Sequence, residues 1–472
     1  MSTPRSAEQD TLVEHDAAGT GATGSAPRPP VLPPEPWQFP VPTRTTLPNG
    51  VELVLYHIPG QYVVSVRTAV PFPLSAEPAE VEGVATIMAR MLDEGTAEHS
   101  AEEFAELLER KGIAIGAGVT DAGLSVDLDV PKGRLAEALD LLRRLLADPV
   151  FPQPELDRHL KTRLAEIEQE RALGPQRAAR QFVATIFDPA DRASRPTGGS
   201  PATVRAITRE AVAEFHRGQV GPRGSTVVVA GDLSDLDVPA LAAAGLGGWS
   251  NPHQRELPDP AVPAFAADGA RVVLVDRPGA VQSEVLVGCP GPDRRAEGGW
   301  AAYPVLGFVV GGSPNARVDA VLREEKGYTY GIRSAFRPRR RGGLFLTSGS
   351  VRADATVESV RLLLDILGRV GDGLSEEEVR AGVDFISKTA PGRFATADAV
   401  ADEAAALSLE GLTTQFTTDN LERMRSLDPD ALLAAWRQWV TGEWTVVVVG
   451  DAARWAEGLR GLGLGDVVVV PA

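Results

Sequence analysis

The chain has 472 residues, of which 43% are hydrophobic and 24% charged, an ordinary composition with room for two to four globular domains. The net charge of −17 argues against nucleic-acid binding, which requires a basic face. No stretch approaches the ~18 consecutive apolar residues of a membrane-spanning helix, and the single cysteine, Cys289, excludes an intrachain disulfide. Most acidic surfaces of this kind are simply solvated, although they are also compatible with attraction of basic peptides.

Two segments of biased composition, one before and one after, bound the first half of the chain. Residues 1–38 are rich in Ala, Gly, Ser, Thr and Pro and predict a disordered tail. They lack the apolar core of a signal peptide, so we expect a cytoplasmic protein. The proline-rich stretch 251–264 predicts a linker between an N-terminal domain at 39–250 and a C-terminal domain at 265–472.

The first half mixes strand and helix patterns along the chain. A turn at 48–50 separates two strand-like runs, and Val63–Val70 alternates in the manner of a half-buried strand. A hairpin is predicted around Asp121-Ala122-Gly123. Apolar residues at helical spacing predict helices at 84–92, 101–111, 134–147, 155–171 and 209–216. This order of elements predicts an α+β domain with a mostly antiparallel sheet faced by helices.

The second half repeats the first. The buried strand and turn Ser225–Asp232 recur as Trp444–Asp451, and the helix before them recurs with the same offset of about 220 residues. We therefore expect one duplicated domain, present as two homologous halves.

Two segments carry recognisable motifs. Residues 83–96 read GVATIMARMLDEGT, a short amphipathic helix closed by a glycine. Residues 311–318 read GGSPNARV, and 322–330 read LREEKGYTY, which predicts a glycine-containing loop, a helix that carries Arg323 and ends at Gly327, and a strand that carries Tyr330. No Gly-Lys-Ser/Thr follows the glycines, so this loop is not a phosphate-binding loop.

The first motif resembles the active-site helix of the pitrilysin/insulinase family of zinc peptidases, which reads G-L-A-H-L-L-E-H-M-L-F-x-G-T. The frame of that helix is kept at Gly83, Ala85, Met91, Leu92, Gly95 and Thr96.

The zinc-binding residues of the family are replaced in this chain. The inverted motif His-x-x-Glu-His, whose histidines bind zinc and whose glutamate activates water, becomes Thr86, Ala89 and Arg90. Threonine is a poor zinc ligand, alanine is no base, and arginine stays protonated and cannot ligate. We therefore expect no metal site in this chain. By the resemblance, Glu166 on the 155–171 helix stands for the third zinc ligand, now either paired with Arg90 or a solvated charge.

The second motif resembles the family element G-G-x-x-S-R-L…L-R-E-x-K-G-x-x-Y and is nearly intact. In the family its Arg and Tyr reach the substrate peptide near the zinc, which implies that role for Arg323 and Tyr330. The glycine-rich loop of the non-catalytic processing-peptidase subunit guides substrate. The resemblance thereby implies substrate contacts at Gly311, Gly312, Ser313 and Asn315.

The combination of an erased zinc motif and a kept Arg/Tyr element predicts a non-catalytic, substrate-binding subunit of a heterodimeric zinc endopeptidase. Its expected partners are a homologous catalytic chain with an intact His-x-x-Glu-His, which would hold the zinc, and a peptide substrate, with no nucleic acid and no membrane. No cofactor is expected in this chain itself. Two alternatives stay open: a structural core-type protein derived from the peptidase, and an active metallopeptidase with displaced ligands.

Overall fold

The computed structural model describes residues 30, 32, 35–267 and 271–471. Six strands form the first half: β1 Thr43–Thr46, β2 Glu52–His57, β3 Val63–Pro71, β4 Ala114–Thr120, β5 Gly123–Pro131 and β6 Thr226–Gly231. Its helices are α1 Val84–Arg90, α2 Ala101–Lys111, α3 Leu135–Ala147, α4 Gln153–Ala172, α5 Gly174–Ile186, α6 Pro201–Ala206, α7 Arg209–Gln219 and α8 Val238–Leu246. Short 3₁₀ turns lie at 74–76, 79–81, 132–134 and 192–194.

The second half has the same make-up. Its strands are β7 Arg271–Asp276, β8 Gln282–Gly291, β9 Thr329–Pro338, β10 Gly343–Arg352, β11 Thr445–Gly450 and β12 Val467–Pro471. Its α-helices are α9 Ala302–Gly307, α10 Arg317–Asp319, α11 Thr356–Arg369, α12 Glu376–Arg393, α13 Ala397–Leu409, α14 Gln415–Met424, α15 Pro429–Trp439 and α16 Ala452–Arg460. Two π-helical segments, Phe308–Gly312 and Ala320–Glu325, continue α9 and α10, and 3₁₀ turns lie at 353–355 and 370–372.

Each half builds one six-stranded sheet, and the two sheets share the order of five strands; the sixth, at the edge, is the antiparallel first strand β1 in one sheet and the parallel last strand β12 in the other. The strand orders are β1-β2-β6-β3-β5-β4 and β12-β7-β11-β8-β10-β9. The repeated valine strands β6 and β11 take the same third place, parallel to β2 or β7 and antiparallel to β3 or β8. Most strand pairs are antiparallel, so the predicted α+β duplication with a mostly antiparallel sheet in each half is confirmed.

Each sheet packs its own helices on one face and a helix of the other half on the opposite face. Helix α13, from the second half, packs on the first sheet against side chains that include Tyr56, Ala69 and Val228. Helix α5, from the first half, packs on the second sheet through Phe182 and its neighbours. The halves are thus joined by two reciprocal apolar layers.

This exchange corrects one sequence expectation. Strand β3 was expected to be half-buried, but its residues from Val64 to Val70 are all buried. The face of β3 that carries Arg67 and Ala69 lies under α13, a helix more than 300 residues further along the chain. Periodicity within a strand cannot reveal such a distant cover.

The predicted tail at 1–38 lies mostly outside the described residues. Trp37 is described and stacks on Phe394, so packing begins before residue 39. The predicted linker at 251–264 contains one turn and is otherwise without regular structure. The described residues from Glu35 onward form one compact unit. None of the described helices is long and apolar enough to cross a membrane.

Candidate functional site

Helix α1, the helix of the degenerate zinc motif, is fixed at its first residue by a buried carboxylate. Gly83 precedes the helix with φ 99°, a left-handed conformation that favours glycine. A Cβ at this position would lie 2.9 Å from the backbone carbon of Gly198. One oxygen of Glu77 accepts hydrogen bonds from the backbone N–H groups of Gly83 and Ala85, both at 3.0 Å. Because Glu77 satisfies these N–H groups, the helix starts at a defined point.

The second oxygen of Glu77 holds the 188–199 loop against the same helix. It accepts hydrogen bonds from Arg192 Nη2 at 2.7 Å and from Arg192 Nε at 3.1 Å. Burial raises the pKa of Glu77, although Arg192 and the two backbone N–H groups oppose that shift. Arg192 also donates to the backbone carbonyls of residues 195–197. The frame of an active-site helix is therefore rigidly built in this chain.

Arg90, at the position of the second zinc-binding histidine, pairs with Glu166 of α4. Its Nη1 and Nη2 donate to the two carboxylate oxygens of Glu166, each at 2.9 Å, which is the bidentate geometry of a strong ion pair. These hydrogen bonds lower the pKa of the Glu166 carboxyl. The two side chains are 31% and 34% exposed, so the pair is partly buried but still reached by solvent. Of the two expectations for Glu166, pairing with Arg90 is the one observed.

A second arginine, Arg163, extends this pair into a neutral network. Its Nη1 donates to Glu166 at 3.1 Å and to Glu170 at 2.5 Å, and its Nε donates to the carbonyl of Gly198 at 3.0 Å. The side chain of Arg163 is only 7% exposed. The sequence reasoning missed Arg163, although its spacing from Glu166 and Glu170 places all three on one face of α4. Two guanidinium groups and two carboxylates thus balance each other.

The remaining motif positions do not supply metal ligands. Thr86 Oγ1 donates to the carbonyl of Thr197 at 3.3 Å, and Ala89 is 2% exposed. Across the described residues no group of three or more His, Cys, Asp or Glu side chains converges in a way that could hold a metal ion. A zinc ion in the family's arrangement does not fit here, because the Arg90 guanidinium and its positive charge stand beside the one carboxylate that is left.

The second-half element presents its two predicted side chains to solvent. Arg323 lies in the π-helical segment and is half-buried, with 38% of its side chain exposed; its Nε pairs with its neighbour Glu324 at 3.2 Å. Tyr330 is 93% exposed at the start of β9, and its hydroxyl meets no protein partner within the described part of the chain. Both groups are hydrogen-bond donors, and Arg323 contacts only its sequence neighbour Glu324 among the ion pairs of the described chain.

A buried aspartate ties the helix of Arg323 to the strand of Tyr330. Asp319 is fully buried and accepts from the backbone N–H of Ile332 at 2.8 Å and from Arg333 Nη1 at 2.6 Å. Asp319 lies one helical turn before Arg323, and Ile332 lies two residues after Tyr330. The relative position of the two exposed groups is therefore fixed by a charge-assisted contact in the core.

The glycine-containing loop divides into a packed and an open part. Gly311 is buried, and a Cβ there would lie 2.5 Å from Ser334 Oγ, so packing against β9 requires glycine. Gly312 and Asn315 are exposed and Ser313 is half-buried. Of the four predicted substrate contacts, Gly311 is thus inaccessible to a ligand.

The fold and the site together define a duplicated α+β protein with the frame of a zinc peptidase and an ion pair in place of the zinc ligands. The model of the family described as Insulinase (Peptidase family M16) matches residues 54–195, and the Peptidase M16 inactive domain matches residues 206–384. The chain belongs to peptidase family M16. Thr86, Ala89 and Arg90 lie within the first matched range and do not supply the family's zinc ligands.

Relatives and solved structures agree with this placement. An uncharacterized zinc protease of Mycobacterium leprae is 26% identical over 71% of this chain and 75% of its own length. A non-peptidase homolog from Helicobacter pylori is 25% identical over 53% of this chain and 56% of its own length. The crystal structure of a peptidase M16 inactive domain from Pseudomonas fluorescens matches with a TM-score of 0.79 at 20% identity, covering 87% of this chain and 98% of that one. The names of the Helicobacter pylori relative and of the solved structure, together with the inactive-domain match, fit a non-catalytic M16-like protein, whereas the Mycobacterium leprae relative is named a zinc protease.

Proposed function

We propose that this chain is the non-catalytic, substrate-binding subunit of a two-chain zinc endopeptidase. The observation that carries the proposal is the contrast between its two motifs. The Arg90–Glu166 ion pair fills the metal position, whereas Tyr330 stays exposed and the half-buried Arg323 is paired with its sequence neighbour Glu324. The zinc belongs to a homologous partner with an intact His-x-x-Glu-His, and the complex acts in the cytoplasm.

The chemistry of the two exposed groups suits a peptide in such a shared site. The Arg323 guanidinium and the Tyr330 phenol can donate to a peptide carbonyl and to the oxyanion that develops when water attacks it. Asp319 supports this role because it fixes the spacing between the helix and the strand beforehand. Donors that are already in position cost no reorganisation when charge develops.

The peptide binds as an added strand, which gives affinity through main-chain hydrogen bonds. Strand β4 supports this mode, since it is the last strand of the first sheet and pairs only with β5 in the described chain. Gly312, Ser313 and Asn315 supply further polar contacts from the loop of the second half.

The test compares Arg323→Ala and Tyr330→Phe with wild type in a complex with the catalytic partner, found first as a homologous chain encoded next to this one. Loss of one donor to an oxyanion costs on the order of 10²–10³ in rate. Arg361→Ala and Tyr62→Phe are matched controls, because both residues are exposed and lie outside the element. Size-exclusion mass and peptide cleavage are measured side by side.

The expected outcome is a complex of unchanged mass with strongly reduced cleavage in the two test variants and normal cleavage in the controls. Full activity in both test variants would favour the structural core-type protein. Loss of the complex would place these residues in the interface and withdraw the catalytic role. Peptidase activity of this chain alone would favour the enzyme with displaced ligands.

A further inference from the structure

Three arginines gather where helix α4 ends and helix α5 begins. Arg171 lies in the last turn of α4, and Arg177 and Arg180 lie one helical turn apart on α5. All three line one cleft of about 370 Å³. The face of α5 that packs on the second sheet carries Phe182 instead, so the arginines lie outside the apolar layer between the halves.

The guanidinium of Arg180 has no protein partner in the described part of the chain. No described residue accepts a hydrogen bond from it or forms an ion pair with it, and its Nη1 is buried. Buried polar atoms are nearly always hydrogen-bonded, so such a donor requires an explanation, of which a bound ion is one. The half-buried side chain also lines a second cleft of about 460 Å³, where Glu82 is already paired with Arg195 at 2.9 Å. A ligand in either cleft would therefore lie beside a guanidinium that has no competing contact.

Arg177 meets only neutral acceptors. Its Nη1 donates to Gln181 Oε1 and its Nη2 donates to the backbone carbonyl of Pro471, both at 3.0 Å. Arg171 pairs with Glu168 at 3.3 Å, but the two side chains are 44% and 65% exposed, so this contact contributes little. Two of the three cations thus lack a carboxylate partner among the described residues.

The neighbouring ion pairs of α4 do not supply the missing negative charge. Both carboxylate oxygens of Glu170 accept hydrogen bonds from Arg163, and the Glu166 carboxylate is shared between Arg90 and Arg163. These two carboxylates are already balanced by two guanidinium groups. The cluster therefore keeps two unbalanced positive charges in a chain whose net charge is −17.

The free protein gains no stability from this clustering. Burial and the charges of Arg180 and Arg171 lower the pKa of Arg177, and burial and the charge of Arg171 lower the pKa of Arg180. The guanidinium groups nevertheless stay protonated, as arginines in proteins do. Like charges at helical spacing destabilise a helix, so an anion bound between them would relieve the repulsion.

We propose that Arg177 and Arg180 bind a phosphate group with two negative charges, with Arg171 at the rim of the site. The planar fork of N–H donors in a guanidinium fits the oxygens of phosphate. Two unbalanced cations match a phosphate dianion better than the single charge of a carboxylate. The site uses neither Arg323 nor Tyr330, so its failure would be distinct from failure of the proposed function.

The experiment measures the binding of inorganic phosphate to the full chain alone by calorimetry, at about pH 7.5, where phosphate is mostly dianionic. Phosphoserine and acetate are titrated at the same ionic strength. The test variants are Arg177→Gln and Arg180→Gln. Arg361→Gln is the matched control, because it removes one positive charge from an exposed position on α11. Urea unfolding without phosphate is recorded for Arg180→Gln, which loses no hydrogen bond to a described residue.

We expect phosphate to bind wild type and the control equally, and its affinity to fall at least about tenfold in each test variant. Without phosphate, Arg180→Gln should unfold at a higher urea concentration than wild type, because a repulsive charge is gone. Acetate should bind more weakly than phosphate. Preference for phosphoserine would assign the site to a phosphomonoester, and preference for inorganic phosphate would assign it to the free ion.

Three results overturn the proposal. The first is the absence of phosphate binding to wild type. The second is binding of acetate as tight as that of phosphate. The third is an affinity for phosphate that the test variants keep, or that the control loses to the same extent.

Discussion

The ion pair at the metal position can be converted back into a metal site if Glu166 is the surviving third ligand. The change is Thr86→His together with Arg90→His, which restores two histidines one turn apart on α1. A histidine is shorter than an arginine, and a Zn–N bond of about 2 Å makes up the difference, so the zinc lies near the present guanidinium. The guanidinium nitrogens lie 2.9 Å from the two oxygens of Glu166, so a small shift of the Glu166 side chain would bring an oxygen to the Zn–O distance of about 2 Å.

The stability that the variant loses with the Arg90–Glu166 ion pair follows from the exposure of the pair. Since both side chains are about one-third exposed, losing the ion pair costs about 1–2 kcal/mol in the metal-free variant, between the values for surface and buried pairs. Zinc at about 100 times its dissociation constant raises the unfolding free energy of the variant by about 2.7 kcal/mol. Zinc addition therefore restores the stability of the variant and leaves wild type unchanged.

The assay is zinc titration by calorimetry with metal analysis after dialysis. Thr86→Ala/Arg90→Ala is the control that loses the ion pair without gaining ligands. Adding Glu166→Gln to the histidine pair should weaken zinc binding by at least about tenfold, since one of three ligands loses its charge. No zinc binding by the histidine pair, or binding indifferent to Glu166→Gln, refutes the assignment of Glu166.

Two further predictions concern stability. Phe182 is 1% exposed where α5 packs on the second sheet, so Phe182→Ala should lower the unfolding free energy by about 3–5 kcal/mol and speed proteolysis within 251–264. Leu173→Ala, at an exposed position, is the control. An unchanged cleavage rate in Phe182→Ala would contradict the interlocked halves. Burial lowers the pKa of His216 from 6.5 to about 4, so the unfolded chain binds the proton first and the unfolding free energy falls as pH drops from about 6.5 to about 4. Urea titrations should give an unfolding free energy that is about 2 kcal/mol lower at about pH 5 than at about pH 7.5, and His216→Gln should reduce that difference. An identical pH profile in the variant would contradict the reasoning.

What the sequence could predict depended on whether the signal was local. The repeated valine strands and their Gly-Asp turns indicated the duplication, because a fully buried strand needs a continuous apolar run. The burial of β3 on both faces was missed, since its cover α13 comes from the other half.

The residues of the candidate site also differ in whether a local signal could reveal them. The resemblance of the two motifs to those of the family pointed to Arg90, Glu166, Arg323 and Tyr330. It could not choose between a paired and a solvated Glu166, because that depends on how α1 packs on α4. Asp319 went unnoticed, since its partners come from a strand that the sequence alone does not place beside it.

The measurement that tests the central claim most directly is the zinc content and peptidase activity of the purified wild-type chain after extensive dialysis. The Arg90–Glu166 pair predicts well below about one zinc per chain and no chelator-sensitive cleavage, because no ligand set for the ion exists at this position. About one tightly held zinc per chain, with peptide cleavage that a chelator abolishes, would contradict the account.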